Sequence, residues 1–220
     1  GIDAAFVTAL PDHAIADACV ADLRGLGVET KHILRMPEGR LGIYFLEHGA
    51  NQRGGNVIYD RDGSAVAITP ASAYDWDAIF TGCEWFVISG ITPAISRNAA
   101  EVTKVAIAEA VKRGVRVACD MNYRSKLWQW EPSLSPRELA TQTMRELMPS
   151  VSLFVGGKED AEAMLGADSS TSHEQVARQI AVQYPAMEQV AMTLREGHSA
   201  THNHFGGLLF EVATDKIGRA

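Results

Sequence analysis

No run of roughly eighteen or more apolar residues occurs in the 220-residue sequence, which argues against a helical membrane span. The opening residues GIDAAFVTAL carry neither a basic segment nor a small-residue cleavage site, so nothing in them reads as an export signal. Cysteine is scarce. Cys19, Cys83 and Cys119 are scattered and odd in number, which reads as free thiols in a reducing compartment, so the expected location is cytoplasmic. Basic residues are outnumbered, with 20 Lys and Arg against 27 Asp and Glu, and the net charge of −7 argues against nucleic acid as a partner. Long polar tracts, like-charge blocks and Pro/Gly linkers are missing, so disorder is not expected. Several chemical signatures are missing too. There is no G-x-x-x-x-G-K-[ST], no G-x-G-x-x-G and no G-x-S-x-G, which argues against a P-loop, a dinucleotide site and an α/β-hydrolase.

What is present is 46% hydrophobic residues, enough for one large α/β domain or a compact pair. Ala4 to Leu10 reads as a strand, followed by a helix to Leu23 whose apolar face is Ile15, Cys19 and Leu23 or Leu26. Leu41 to Leu46 and Asn56 to Arg61 alternate around HGANQRGG and predict a β-hairpin. Strands are expected at Trp85 to Ser89, Val115 to Cys119, Val151 to Val155, Val190 to Leu194 and Leu208 to Val212. Between them lie helices at Ser96 to Arg113, Ser135 to Met148 and Lys158 to Leu165, and another opened by Ser172. Ser135-Pro-Arg-Glu138 and Ser172-His-Glu-Gln175 are capping boxes, in which hydroxyl and carboxyl or amide side chains satisfy free backbone N–H groups. Strands alternating with helices predict parallel βαβ units, so the fold class is α/β with an inserted hairpin.

In such sheets ligands sit at the carboxyl ends of strands. CDMNYRSKLW, residues 119–128, lies at one. If the segment stays extended, Asp120, Asn122 and Arg124 alternate onto one side, with Arg suited to a carboxylate or phosphate and Asp and Asn suited to hydroxyls. Tyr59 and Arg61 alternate on the hairpin. Glu159 and Asp160 follow a strand and open a helix, where carboxylates either hold Mg²⁺ through water or complement the helix dipole. The run HSATHNH holds His198, His202 and His204, with no nearby acidic residue or Cys to complete a metal set, and reads as a solvated turn.

Taken in order, GRLGIYFLE (39–47), NVIYDRDGSA (56–65), WFVISGITPA (85–94), CDMNYRSKLW, GGKEDAEAMLG (156–166) and MTLREGHSATHN (192–203) resemble the PfkB, ribokinase-like carbohydrate kinases, nearest the 2-keto-3-deoxygluconate branch. The resemblance implies a three-layer α/β sandwich with a mostly parallel sheet, a single domain over 1–220 and a β lid at 39–66. It implies ATP as co-substrate, Mg²⁺ as cofactor and 2-keto-3-deoxygluconate as the sugar acid, converted to its 6-phosphate. Tyr44, Tyr59 and Arg61 would close over the acid, with Gly90 beside the substrate cleft. Arg124 would bind substrate and offset transition-state charge. Asn122 and the strand–turn at Thr193, Arg195 and Gly197 would face the nucleotide, and Glu159 and Asp160 the metal.

Three departures stand beside the resemblance. The family's Asn-x-x-Glu begins here at Gly157, so its Asn is a glycine, and Arg195 stands where many relatives have Gly. The family's Gly-Ala-Gly-Asp motif, which supplies the catalytic base, has no counterpart in the 220 residues; nor does its first strand. The expectation is therefore an incomplete kinase domain. Another ribokinase-like sugar kinase such as a fructokinase, and a non-catalytic sugar-acid-binding module, are the alternatives, with a metal-binding protein behind them. The exposed edges of the hairpin favour a homodimer through the lid.

Overall fold

The computed structural model describes residues 2–199 and 202–220. The chain opens with β1 (Thr8–Pro11), α1 (Ala14–Gly25) and β2 (Ile33–Met36), and β1 pairs with β2 in parallel. The expected strand at Ala4 is only an isolated bridge from Ala5 to Glu29, and the ladder begins at Thr8. The expected face of α1 also turns. Ile15 is exposed and Ala16 is fully buried, with Val20 and Leu23 half-buried beside it. Ala16, Val20 and Leu23 fit the 3.6-residue period as well as Ile15, Cys19 and Leu23 do, so spacing alone could not choose between them.

The hairpin forms as expected from β3 (Ile43–Glu47) and β4 (Asn56–Asp60), antiparallel with Tyr44 opposite Tyr59 and Phe45 opposite Ile58. It is a separate two-stranded sheet. Alternation gives it two faces: Tyr44 and Tyr59 on one, and Ile43, Phe45 and Ile58 on the other, where all three are exposed. After it come α2 (Ala65–Ile68) and α3 (Trp76–Phe80), capped by Asp75, whose carboxylate accepts the Ala78 N–H.

The rest builds one six-stranded sheet. β5 (Trp85–Ser89), α4 (Ile91–Ile95), α5 (Arg97–Lys112), β6 (Arg116–Asp120), α6 (Pro136–Leu147), β7 (Leu153–Gly156), α7 (Lys158–Leu165) and α8 (His173–Gln183) lead to β8 (Gln189–Ser199), β9 (His202–Glu211) and β10 (Lys216–Arg219). The strand order is β10-β9-β8-β7-β6-β5, with β5 to β8 parallel and β9 and β10 added antiparallel. Because each parallel strand is laid beside the last, right-handed crossovers carry α5, α6 and α8 to the same face. Contacts from α5 to α6, α6 to α7 and α7 to α8 make that layer continuous.

Between layer and sheet lies the core. Val117, Phe154, Val190, Met192, Leu208 and Phe210 from the strands meet Leu139, Met144, Met164, Val176 and Ile180 from the helices, all buried. Truncating Phe154 alone to Ala would cost about 3–5 kcal/mol. Both capping boxes are present. Ser135 Oγ accepts the Glu138 N–H while Glu138 accepts the Ser135 N–H, and Ser172 and Gln175 do the same for α8.

Candidate functional site

The carboxyl ends of β5, β6 and β7 are stitched together by backbone bonds. The Gly90 N–H donates to the Asp120 carbonyl at 2.7 Å, and the Met121 N–H donates to the Val155 carbonyl at 2.8 Å. This explains Gly90: a Cβ there would overlap the Met121 carbonyl oxygen and press on the Met164 side chain. The glycine sets how closely two strand ends approach.

The alternation expected for Asp120, Asn122 and Arg124 is overturned. β6 stops at Asp120, and Asn122 takes the left-handed conformation at φ 40°, so the segment is not extended. Asn is among the few residues that tolerate this region, because its short side chain can bond locally. Here its Nδ2 lies 3.4 Å from Ser89 Oγ. The turn sends the Tyr123 N–H to Asp160 Oδ1 at 3.0 Å, while Asp160 Oδ2 accepts the Gly157 N–H at 3.0 Å. Asp160 thus braces the loop after β6 against the start of α7. Arg124 is exposed and, among the described residues, its side chain bonds only its neighbour's carbonyl, at 2.9 Å.

The turn still gathers charge. Burial pushes the Asp120 carboxyl above its ordinary 3.8, the Asp160 charge adds to that, and the Arg124 guanidinium and the Asn122 N–H oppose it. Two carboxylates and one guanidinium therefore share a strand end. That arrangement favours a cation near the acids and an anion near Arg124.

On the hairpin, the Arg61 guanidinium lies 5.8 Å from the Tyr44 ring centroid and 5.6 Å from that of Tyr59, so two aromatic faces hold it in place. Tyr59 packs on the core. Lys126 completes the arrangement, donating from Nζ to Asn56 Oδ1 at 3.0 Å and to the Val57 carbonyl at 2.9 Å. It ties the hairpin to the loop carrying Asn122 and Arg124. Sequence reasoning gave Lys126 no role, although it lies within the stretch 119–128; its partners are about seventy residues away, beyond any local signal.

The strand–turn expected at Thr193 is not a turn. β8 runs on to Ser199, because Gly206 and Gly207 of β9 pair with Leu194 and Thr193 and the ladder continues outward. Arg195 donates from Nε and Nη2 to Asn203 Oδ1 at 3.1 and 3.0 Å and lies over the Phe205 ring. A hollow of about 420 Å³ separates Arg195, Gly197 and Ser199 from Asn51, Gln52 and Gly54 at the hairpin tip. A larger one, about 710 Å³, lies between α5 and α6 beside Trp130 and touches none of these residues. Where a Gly157 Cβ would sit, Glu159 Oε2 is 3.2 Å away and Asp160 Oδ2 and Thr193 Oγ1 are each 3.5 Å away. Three expected site residues from two elements thus ring one small gap. The histidine run is corrected as well: Glu196 pairs directly with His204, so an acidic residue does complete a set.

A mixed sheet with polar strand ends and a β-hairpin tied across one of them defines an α/β protein with a candidate small-molecule site at the carboxyl ends of its strands. The chain belongs to the pfkB family of carbohydrate kinases, matching that family over residues 1–195. It is 31% identical over 211 residues to the 2-dehydro-3-deoxygalactonokinase of Haloferax volcanii, covering 96% of this chain and 62% of that protein. It is similar to the crystal structure of the 2-dehydro-3-deoxygluconokinase of Thermotoga maritima, with TM-score 0.90 and 36% identity over 100% of this chain and 66% of that one. A pfkB family carbohydrate kinase structure from Listeria grayi superposes with TM-score 0.87 at 29% identity, over 100% of this chain and 65% of that one. The chain thus spans a little under two thirds of the length of these relatives.

Proposed function

We propose that the whole protein transfers the terminal phosphoryl group of ATP to a 2-keto-3-deoxy sugar acid, with 2-keto-3-deoxygluconate as substrate and its 6-phosphate as product. The observation that carries this is Lys126 bonded to β4, which holds the hairpin bearing Tyr44, Tyr59 and Arg61 against the loop bearing Asn122 and Arg124. Family membership and the names of two similar sugar-acid kinases support it.

Each residue has a chemical part. The Arg61 fork, fixed between two tyrosines, suits the planar carboxylate of a sugar acid, and burying that pair under the hairpin excludes water from the phosphoryl donor. Arg124, in no close ion pair among the described residues, offers its guanidinium to the equatorial oxygens that gain charge during transfer. Asp120 offers an acceptor to a sugar hydroxyl, and Asn122 offers a donor toward the nucleotide. Thr193, Arg195 and Gly197 form the nucleotide side of the site. None of these residues is assigned to deprotonate the acceptor hydroxyl.

The gap at Gly157, ringed by oxygens of Glu159, Asp160 and Thr193, fits a hard cation such as Mg²⁺ bound largely through water. Bound there, Mg²⁺ would neutralise phosphate charge; Glu159 is exposed and available to its water shell, while Asp160 holds the backbone around it. The exposed outer face of the hairpin, Ile43, Phe45 and Ile58, would be covered by the same face of a second copy, giving a homodimer. A two-stranded sheet is marginal alone, and a two-fold axis would pair its apolar face with itself.

The test is ADP formation by the full-length protein with 2-keto-3-deoxygluconate, with its C4 epimer and with fructose. Preference for an acid over fructose, with Arg61→Ala raising KM for the acid roughly 10- to 100-fold and barely changing a neutral sugar, is the expected result, since a charged hydrogen bond is worth about 1.5–3 kcal/mol. Equal use of fructose by both forms would remove the carboxylate from the proposal. The name of the Haloferax volcanii relative favours the C4 epimer as the second reading, and the ratio of kcat/KM for the two acids decides between them.

A further inference from the structure

The β8–β9 hairpin carries a cluster that the kinase reading does not use. Glu196 and His198 alternate onto one face of β8, and His204 is the direct cross-strand partner of Glu196. A register shift between Gly197 and Ser199 turns the end of the strand so that His198 meets both histidines of β9. Its ring centroid lies 4.8 Å from that of His204 and 5.2 Å from that of His202, and His202 and His204 are 5.4 Å apart. One ligand atom each from Glu196, His198 and His204 fall within 4.8 Å of one another.

From this geometry we propose a binding site for a divalent transition ion of the Zn²⁺ class, with Glu196, His198 and His204 as protein ligands. Two imidazoles and one carboxylate are the donors that Zn²⁺ takes, whereas Mg²⁺ and Ca²⁺ prefer oxygen alone. The ligands sit on paired strands, so the backbone ladder fixes their spacing. All three side chains are exposed, so drawing their donor atoms in to the roughly 3.4 Å separation set by Zn–N bonds of about 2.0–2.1 Å needs only side-chain rotation. The fourth position is open to water or to His202, which stands beside the other two rings.

The position gives the ion a structural consequence. Arg195 and Gly197 point to the opposite face of the same strand, where Arg195 is bonded to Asn203. An ion clamping β8 to β9 would stiffen the stretch that carries those residues, at the rim of the hollow that His198 shares with Arg195 and Gly197. The site does not depend on the identity of the sugar or on catalysis.

The experiment is equilibrium dialysis of the tag-free protein against micromolar Zn²⁺ with millimolar Mg²⁺ present. Zn²⁺ bound at about one per chain is expected. His204→Ala should weaken it by more than the roughly 10–100-fold that losing an outer-shell partner costs, and Glu196→Gln should weaken it in the same direction. Asn203→Ala, on the other face, should leave it unchanged. Cobalt substitution gives a second readout, because a tetrahedral site with two imidazoles produces visible absorption bands that should vanish in His198→Ala. Zn²⁺ well below one per chain, or binding that survives the His198→Ala, His204→Ala double variant, would overturn the site. Far-UV circular dichroism of each variant shows whether the hairpin remains folded.

Discussion

Asp120 and Asn122 stand two positions apart at the end of β6 and depend on opposite features of the chain. Asn122 is set by its backbone, held at φ 40°. Asp120 is set by its surroundings, which raise its carboxyl pKa through burial first and the Asp160 charge second. A carboxyl that binds its proton more tightly when folded favours the fold below its ordinary 3.8 and loses that favour as pH rises through the raised value. At neutral pH the ionised Asp120 therefore costs stability, the price of keeping an acceptor at the strand end. Asp120→Asn should melt above the parent at pH 7, and the gap should close as the pH is taken below 3.8. Thermal denaturation across that range checks it; a gap independent of pH would mean that charge is not the cause. If Asp120 meets a sugar hydroxyl, the same variant should also lose sugar affinity. The polar load of 119–128 was legible here, but the direction of each side chain was not. Direction depended on a left-handed turn at Asn122 and on Asp160, whose bonds reach across 37 residues.

Elements with local causes were legible. Both capping boxes lie where their four-residue patterns put them, and Lys158–Leu165 forms the helix expected of it. Elements with remote causes were not. β8 extends to Ser199 because β9 is there to pair with it, and Glu196 joins the histidines only through that register. β2 and β10 were passed over for the same reason: four residues each, without strict alternation, they are strands by virtue of their neighbours. The start of α7 invites an element-scale prediction. Gly157 is the N-cap at φ −91°, a conformation open to any residue, and the nearest atom to an added Cβ is a flexible carboxylate oxygen at 3.2 Å. Gly157→Asn should fold normally, gain a few tenths of a kcal/mol from the better cap, and tighten Mg²⁺-dependent nucleotide binding. Calorimetric titration with ATP and Mg²⁺ reads the second effect. A lowered melting temperature would show that the gap is too small for an amide.

The whole molecule was legible at the level of class and order. Parallel strands alternating with helices and a separate hairpin lie in the expected sequence, and family membership follows. The antiparallel addition of β9 and β10 was not, because alternation does not carry strand direction. The dimer proposed through the hairpin makes its prediction here. Phe45→Glu would set two carboxylates against each other across a two-fold axis while leaving Tyr44, Tyr59 and Arg61 on the other face. Sedimentation should report monomers in place of dimers at the same concentration. Dimers that persist would place the contact elsewhere.

The sheet ends on β5, and its outer edge has no strand partner among the described residues. Trp85, Phe86, Val87 and Ile88 hold no charge and no proline, and Val87 is 69% exposed. The Arg116 guanidinium, stacked 4.2 Å from the Trp85 ring, is a single cation at one end of that strand. Natural sheets blunt such borders with lysine, proline or a bulge, and this one carries none of them within the strand. Left uncovered, β5 is a template on which another extended segment can pair, so any self-association of this polypeptide on warming is expected to begin at that border rather than in its core.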